Sequence, residues 1–159
     1  MAKLSAGLLL YRRTHGCLEV MLVHMGGPFW QHRDAGAWSI PKGEHGEEED
    51  PLAAARREFV EETGLAVPGG EPLDLGTLRQ SAGKLVHVWA LAGDLDVRTI
   101  SSNTFALEWP RGSGVTREFP EVDRAAWFDL PTASVKLVKG QAQFVRTLAA
   151  RLREHDGGG

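Results

Sequence analysis

The chain has 159 residues, 42% of them hydrophobic and 25% charged, a balance that fits one globular domain with a substantial core. A formal net charge of −3, with no continuous stripe of lysine and arginine, argues against a nucleic-acid partner. The single cysteine, Cys17, excludes an internal disulfide and fits a reducing compartment.

The opening MAKLSAGLLLYRR carries an apolar run that stops at Arg12 and Arg13. That run is too short to cross a membrane and no small-residue cleavage site follows it, so it reads as the first strand of a cytoplasmic protein. Residues 4–11 and 19–25 are rich in Leu and Val and flank THG, the pattern of two strands and a turn. Residues 26–37, GGPFWQHRDAGA, read as a glycine-rich loop, and PKGEHG at 41–46 as a second glycine-bearing loop.

A helix is expected over 51–63. Asp50 suits the N-cap, Pro51 the first helical position and Gly64 the left-handed end. Leu52, Ala55, Phe59 and Thr63 form an apolar stripe at helical period, with Glu58, Glu61 and Glu62 gathered to one side of it. Carboxylates this close repel one another, and a divalent cation such as magnesium, which prefers oxygen ligands and shares them with phosphate, is a reason to tolerate them. Arg57 precedes Glu61 by four and can fix its rotamer. The competing reading is a solvated charged face. Two features weigh against that reading: the acids flank the apolar stripe, and a glycine-bearing loop precedes them.

After the VPGGEP turn cluster, residues 73–81 and 84–91 read as a hairpin with Ala82-Gly83 near its turn. Residues 104–109 make a further strand, 110–114 a loop and 124–129 a late strand, while 141–154 has helical period with Phe144, Leu148 and Leu152 on one side. The domain is expected over 1–155, with 156–159 a flexible tail. The six histidines show no zinc-type spacing, and no nucleophile-elbow pattern points to covalent hydrolysis.

The stretch GEHGEEEDPLAAARREFVEETGL, residues 43–65, resembles the signature of the Nudix hydrolases: Gly43, Glu49, Arg57, Glu58, Glu61, Glu62, Gly64 and Leu65 fall in register. Phe59 stands where the family usually has a branched aliphatic, which keeps the position apolar. AWSIPKG at 37–43 resembles the strand and loop that enter the signature. AAWFDLPTA at 125–133 resembles the family's late strand and short helix, so the resemblance spans most of the chain.

That resemblance implies an α/β/α sandwich with a mixed sheet. It also implies Mg2+-dependent (or Mn2+-dependent) hydrolysis of a phosphoanhydride in a nucleoside polyphosphate, either an NTP or a dinucleoside tetraphosphate. Glu58, Glu61 and Glu62, with a backbone carbonyl near Lys42 or Gly43, would hold the metal. Glu58 would alternatively orient the attacking water. Arg57 would align the acids and Glu49 would assist them. Lys42, at the loop entering the site, is placed to contact a phosphate as a point charge. Family members add one more carboxylate from elsewhere, and Glu118 and Glu121 are preferred here over Glu108 and Asp123.

Trp30, Trp38 and Trp109 lie on or beside predicted loops, where a purine could stack, although tryptophans more often fill core. Arg33, Arg79, Lys84 and Arg117 could contact a polyphosphate chain, or equally serve solubility. The expected partner is a small-molecule nucleotide, with no membrane; oligomeric state is open between monomer and homodimer. Oxidised nucleotides, ADP-ribose or capped RNA are alternative substrates. A non-catalytic sensor is the alternative of another class, and retention of Arg57, Glu58, Glu61 and Glu62 argues against it.

Overall fold

The fold described here is a computed structural model, covering residues 3–80 and 83–157. Strand β1 (Leu4–Thr14) turns into β2 (Cys17–Met25) through His15 and Gly16, both at positive φ (52° and 78°). Two such residues give the turn a twist that matches the strands it joins. β6 (Leu85–Ala92) runs parallel to β1, in register from Leu4↔Leu85 to Tyr11↔Ala92, whereas the other pairings are antiparallel, so the sheet is mixed.

With β3 (Trp38–Ser39) and β5 (Leu73–Arg79) at its ends, the sheet order is β3-β2-β1-β6-β5. β4 (Lys42–His45) pairs with β1 and β9 (Val122–Asp129) with β2. A separate two-stranded sheet joins β7 (Thr104–Glu108) to β8 (Thr116–Pro120).

β1 is shared between two partners on one edge. Its first residues, Leu4 to Gly7, pair with β4, and its last, Tyr11 to Thr14, pair with β2. Between them the Leu8 amide donates to the Pro41 carbonyl at 3.1 Å. Gly7 permits this approach, because a Cβ there would lie 2.7 Å from the Pro41 carbonyl oxygen. β4 and β2 therefore occupy successive stretches of the same edge of β1, which brings Lys42 and Gly43 beside Ala6 and Gly7.

The apolar runs of β1 and β2 are buried on both faces, as expected for strands covered above and below. Ala6, Leu8, Leu10 and Met21 meet Ala54, Ala55 and Phe59 of α1 (Pro51–Thr63). Leu9, Val20 and Leu22 point the other way, to Ala133 of α2 (Leu130–Lys136) and to Phe144, Val145, Leu148 and Leu152 of α3 (Ala142–Gly157). Helices thus cover both faces, the α/β/α sandwich the resemblance implies. Among the described residues no helix is long and apolar enough to cross a membrane.

Three expectations differ in detail. Most of PKGEHG, read as a loop, is strand β4, because its pairing with the distant Leu4–Gly7 segment overrides local glycine and proline signals. β8, inside a segment with polar composition, was not anticipated as a strand. α3 runs to Gly157, past the expected start of the tail, while 158 and 159 lie outside the described residues. At the hairpin turn Ser81 and Ala82 also lie outside them, and Gly83 has φ +75°.

Candidate functional site

α1 is fixed at both ends by the residues the sequence nominates. Asp50 accepts the Ala53 amide at 3.0 Å, Pro51 opens the first turn, and Gly64 at φ 69° donates its amide to the Val60 carbonyl at 2.7 Å. A Cβ at Gly64 would also sit 2.7 Å from the Ser101 carbonyl oxygen. Ala54, Ala55, Phe59 and Thr63 are buried against the sheet. Glu58 and Glu62 flank that stripe four residues apart and therefore stack on one side of it.

Glu58 lies directly against the backbone of β4. A Cβ on Gly43 would overlap its carboxyl group, which explains why glycine occupies that position. Arg57 organises the exposed side of the cluster. Its Nε and Nη2 donate to the two oxygens of Glu49 at 3.0 and 3.1 Å, and its Nη1 donates to Glu58 at 2.8 Å. Glu61 is reached more loosely, at 3.4 Å, and is exposed. The fork-on-carboxylate bond to Glu49 comes first in holding the Arg57 pKa above its ordinary value, and the same bond lowers that of Glu49.

The inner side of the cluster is electrostatically strained. Burial pushes the Glu62 carboxyl up to about 8, opposed by the Lys42 charge and by a bond from the Lys42 backbone N–H, and reinforced by Glu58 and Glu121. Burial also raises Glu58, against its bond from Arg57. Lys42 is lowered, first by burial and then by the charge of Lys84. Buried carboxylates that destabilise each other's charge beside one desolvated lysine form an environment that a cation or a shared proton would relieve.

These groups open into a cleft of about 320 Å³ lined by Lys42, Glu62, Glu121, Ser39, Trp30 and Phe105, with Val23, Met25, Gly26 and Val122 behind them. Of the sequence candidates, Lys42, Glu62, Trp30 and Glu121 line the cleft, and Glu58 stands beside it. Glu118 projects from β8, exposed, opposite Ala106. Trp38 lies in the core: its Nε1 donates to Asp34 at 2.9 Å and its ring meets Phe128 edge-on at 4.8 Å. Arg33 stacks its guanidinium 5.3 Å from the Trp30 ring centre, and its carbonyl lies 2.5 Å from Nε2 of the buried His24. Nδ1 of His24 is 2.8 Å from Asp123, so this histidine anchors the Trp30 loop to β9.

Sequence reasoning passed over Phe105, Ser39 and Gln141. Phe105 lies over Gly27, where a Cβ would come within 2.7 Å of its ring. The buried Gln141 accepts the Ile40 amide at 2.9 Å and donates to Ser39 at 3.2 Å, locking α3 to the segment before Lys42. Adjacent glycines at 26–27 were the available signal for Phe105; nothing local marks Gln141.

Among the described residues no three His, Cys, Asp or Glu side chains stand at metal-ligand spacing. The donor chemistry of the cleft nonetheless suits a hard divalent cation. Glu62 and Glu121 line it and Glu58 stands beside it, all three of them carboxylates, and burial raises Glu58 and Glu62 above the usual carboxylate range.

Residues 1–148 match the NUDIX domain. Among solved structures, an Ap4A hydrolase from C. elegans in a binary complex superposes with a TM-score of 0.67 at 22% identity, covering 94% of this chain and 98% of that one. The NUDIX domain of NrtR from Shewanella oneidensis, complexed with ADP ribose, also gives 0.67, at 18% identity over 96% of this chain and 89% of that one. A segment of 102 residues is 35% identical to an octanoyltransferase from Myxococcus xanthus. It spans 64% of this chain and 25% of that protein, so the chain matches about a quarter of that relative's length.

Proposed function

The chain belongs to the NUDIX family of hydrolases, and from that premise we propose that it uses water to cleave a phosphoanhydride bond in a nucleoside polyphosphate, with magnesium or manganese held by the α1 acids. The observation that carries this reading is Glu62: a carboxyl raised to about 8 by burial, facing Lys42 in a cleft that also receives Glu121. A structural acid has no reason to be kept there against that cost.

In this reading Glu58, Glu62 and the Gly43 carbonyl would hold the metal, with Glu61 at the rim and Glu121 as the carboxylate supplied from outside the helix. A divalent cation held by them would supply charge to offset that of the phosphates and would lower the pKa of a bound water. Arg57 holds Glu58 and Glu61 at fixed spacing by bonding both while anchored on Glu49. Lys42 contacts a phosphate oxygen, its ammonium freed from bulk water and so stronger as a point charge. Trp30 offers a ring to the base, while Trp38 and Arg33 support its loop. Glu58 or Glu121 accepts the proton of the attacking water. The chain acts as one domain through the end of α3, in a reducing compartment such as the cytoplasm; Cys17 is exposed at the start of β2.

Purified protein assayed on nucleotides with magnesium, and again with chelator, tests the reading. Turnover that chelator abolishes and magnesium restores is expected; turnover indifferent to chelator would overturn it.

A further inference from the structure

Next to the acid cleft lies a smaller cavity of about 200 Å³, lined by Lys42, Lys84, Lys139, Gln80, Gln141 and Val138. Its charged side chains are all cations and no carboxylate lines it. The three lysines come from unrelated parts of the chain: Lys42 opens β4, Lys84 precedes β6, and Lys139 sits between α2 and α3. We propose that this cavity is an anion subsite for the outer phosphates of a substrate carrying three or more phosphates in a row. The proposal deepens the hydrolytic reading of the adjoining cleft and rests on it for the position of the cleaved bond.

Lys42 lines both spaces, so they adjoin at that residue. A phosphate chain that reaches the acids at one end passes Lys42 and arrives among the other two ammoniums. The amides are already committed: Gln80 donates to the Gly140 carbonyl at 3.0 Å, and Gln141 bonds Ile40 and Ser39. They are fixed walls, which leaves the lysines as the groups that answer to a ligand. Among the described residues Lys84 is the one of the three with an ion pair, to Glu44 at 3.4 Å, and Glu44 lies outside the cavity and also meets Lys3 at 3.9 Å.

Three like charges held around one cavity repel each other. A polyphosphate tail relieves that repulsion through charge-assisted hydrogen bonds. A diphosphate that ends in a sugar brings no charge to this cavity, so occupancy of the subsite separates nucleoside polyphosphates from diphosphate-linked sugars.

Calorimetric titration with inorganic tripolyphosphate, without divalent cation, tests the subsite apart from catalysis. Lys84→Gln combined with Lys139→Gln is expected to weaken binding by about tenfold or more, from the loss of charged hydrogen bonds. Lys3→Gln, which removes a lysine on the far side of Glu44, should leave it unchanged. The same double variant should lower kcat/KM for a nucleoside triphosphate about tenfold more than for a nucleoside diphosphate sugar. Lys139→Glu alone, at an exposed loop position, repeats the test if the double variant does not fold. Unaltered tripolyphosphate affinity in both variants would overturn the subsite. If the wild type turned over no nucleotide yet binding fell in these variants, the subsite would stand and the hydrolytic reading would fall.

Discussion

On the α1 side of the cleft, Lys42 and Glu62 at its lining and Gly43, Glu49, Arg57 and Glu58 beside them come from one contiguous stretch, whereas the facing wall draws Trp30, Phe105 and Glu121 from three distant segments. Residues on the first wall are positioned by helix periodicity and by one arginine. Those on the second are positioned by tertiary bonds: the Gly26 amide donates to the Glu121 carbonyl at 2.9 Å, and Phe105 lies on Gly27. Asn103 joins the two walls, its amide donating to the Glu61 carbonyl and its carbonyl accepting the Glu121 amide, each at 3.0 Å. The difference teaches that the acids sit on a local, rigid element, while the wall opposite them is assembled by topology; the proposed function assigns the chemistry to the first and the rest of the substrate to the second.

If that division is right, changes on the α1 wall should damage turnover and changes on the facing wall should damage binding. Glu62→Gln is expected to have the largest effect, cutting kcat at least a hundredfold through loss of the charge that positions the reacting groups. The same variant should be more stable than the wild type at pH 8, by about 1–2 kcal/mol after allowance for screening. The sign follows from the raised pKa. Folded Glu62 holds its proton up to about 8, but the unfolded chain releases it near 4.5, so the metal-free wild type loses stability as pH rises between those values. Urea unfolding at pH 5 and pH 8 measures this, and the variant should lack that slope. Magnesium competes with the same proton, so its affinity should rise over that window.

Gly43→Ala comes next. The added methyl displaces the Glu58 carboxyl group, the mobile end of its side chain, so little loss of stability but a loss of activity of about tenfold or more is expected. Thermal unfolding and initial rates check the two effects. Phe105→Ala should be mildest, raising KM about fivefold, the worth of one aromatic contact of roughly 1 kcal/mol, with kcat little changed. A fall in kcat with KM unchanged would erase the distinction between the walls.

Legibility in the sequence follows the same division. The Asp50 cap, the Gly64 terminus and the apolar stripe could be read because each depends on residues near in sequence; for Arg57 the spacing indicates Glu61, whereas the shorter bonds go to Glu49 and Glu58. The two hairpins and α3 could be read from period and turn residues. Strand β4 could not, since Lys42–His45 becomes a strand only when Leu4–Gly7 arrives beside it. Trp30 and Trp38 looked alike on the chain, both aromatic near loops, and only the packing of Trp38 against Phe128 and Asp34 separates core from cleft. Glu118 and Glu121 differed by no spacing rule. β8 carries Glu118 away on an exposed strand, while the bonds to Gly26 and Asn103 turn Glu121 inward.

The most direct test is a crystal grown with manganese and a non-hydrolysable nucleotide analogue, with the metal located by its anomalous scattering. Coordination by Glu58 and Glu62, with the analogue's phosphates between the metal and Lys42, is the predicted result. Metal bound elsewhere, with Glu62 still packed against the Lys42 backbone, would contradict it.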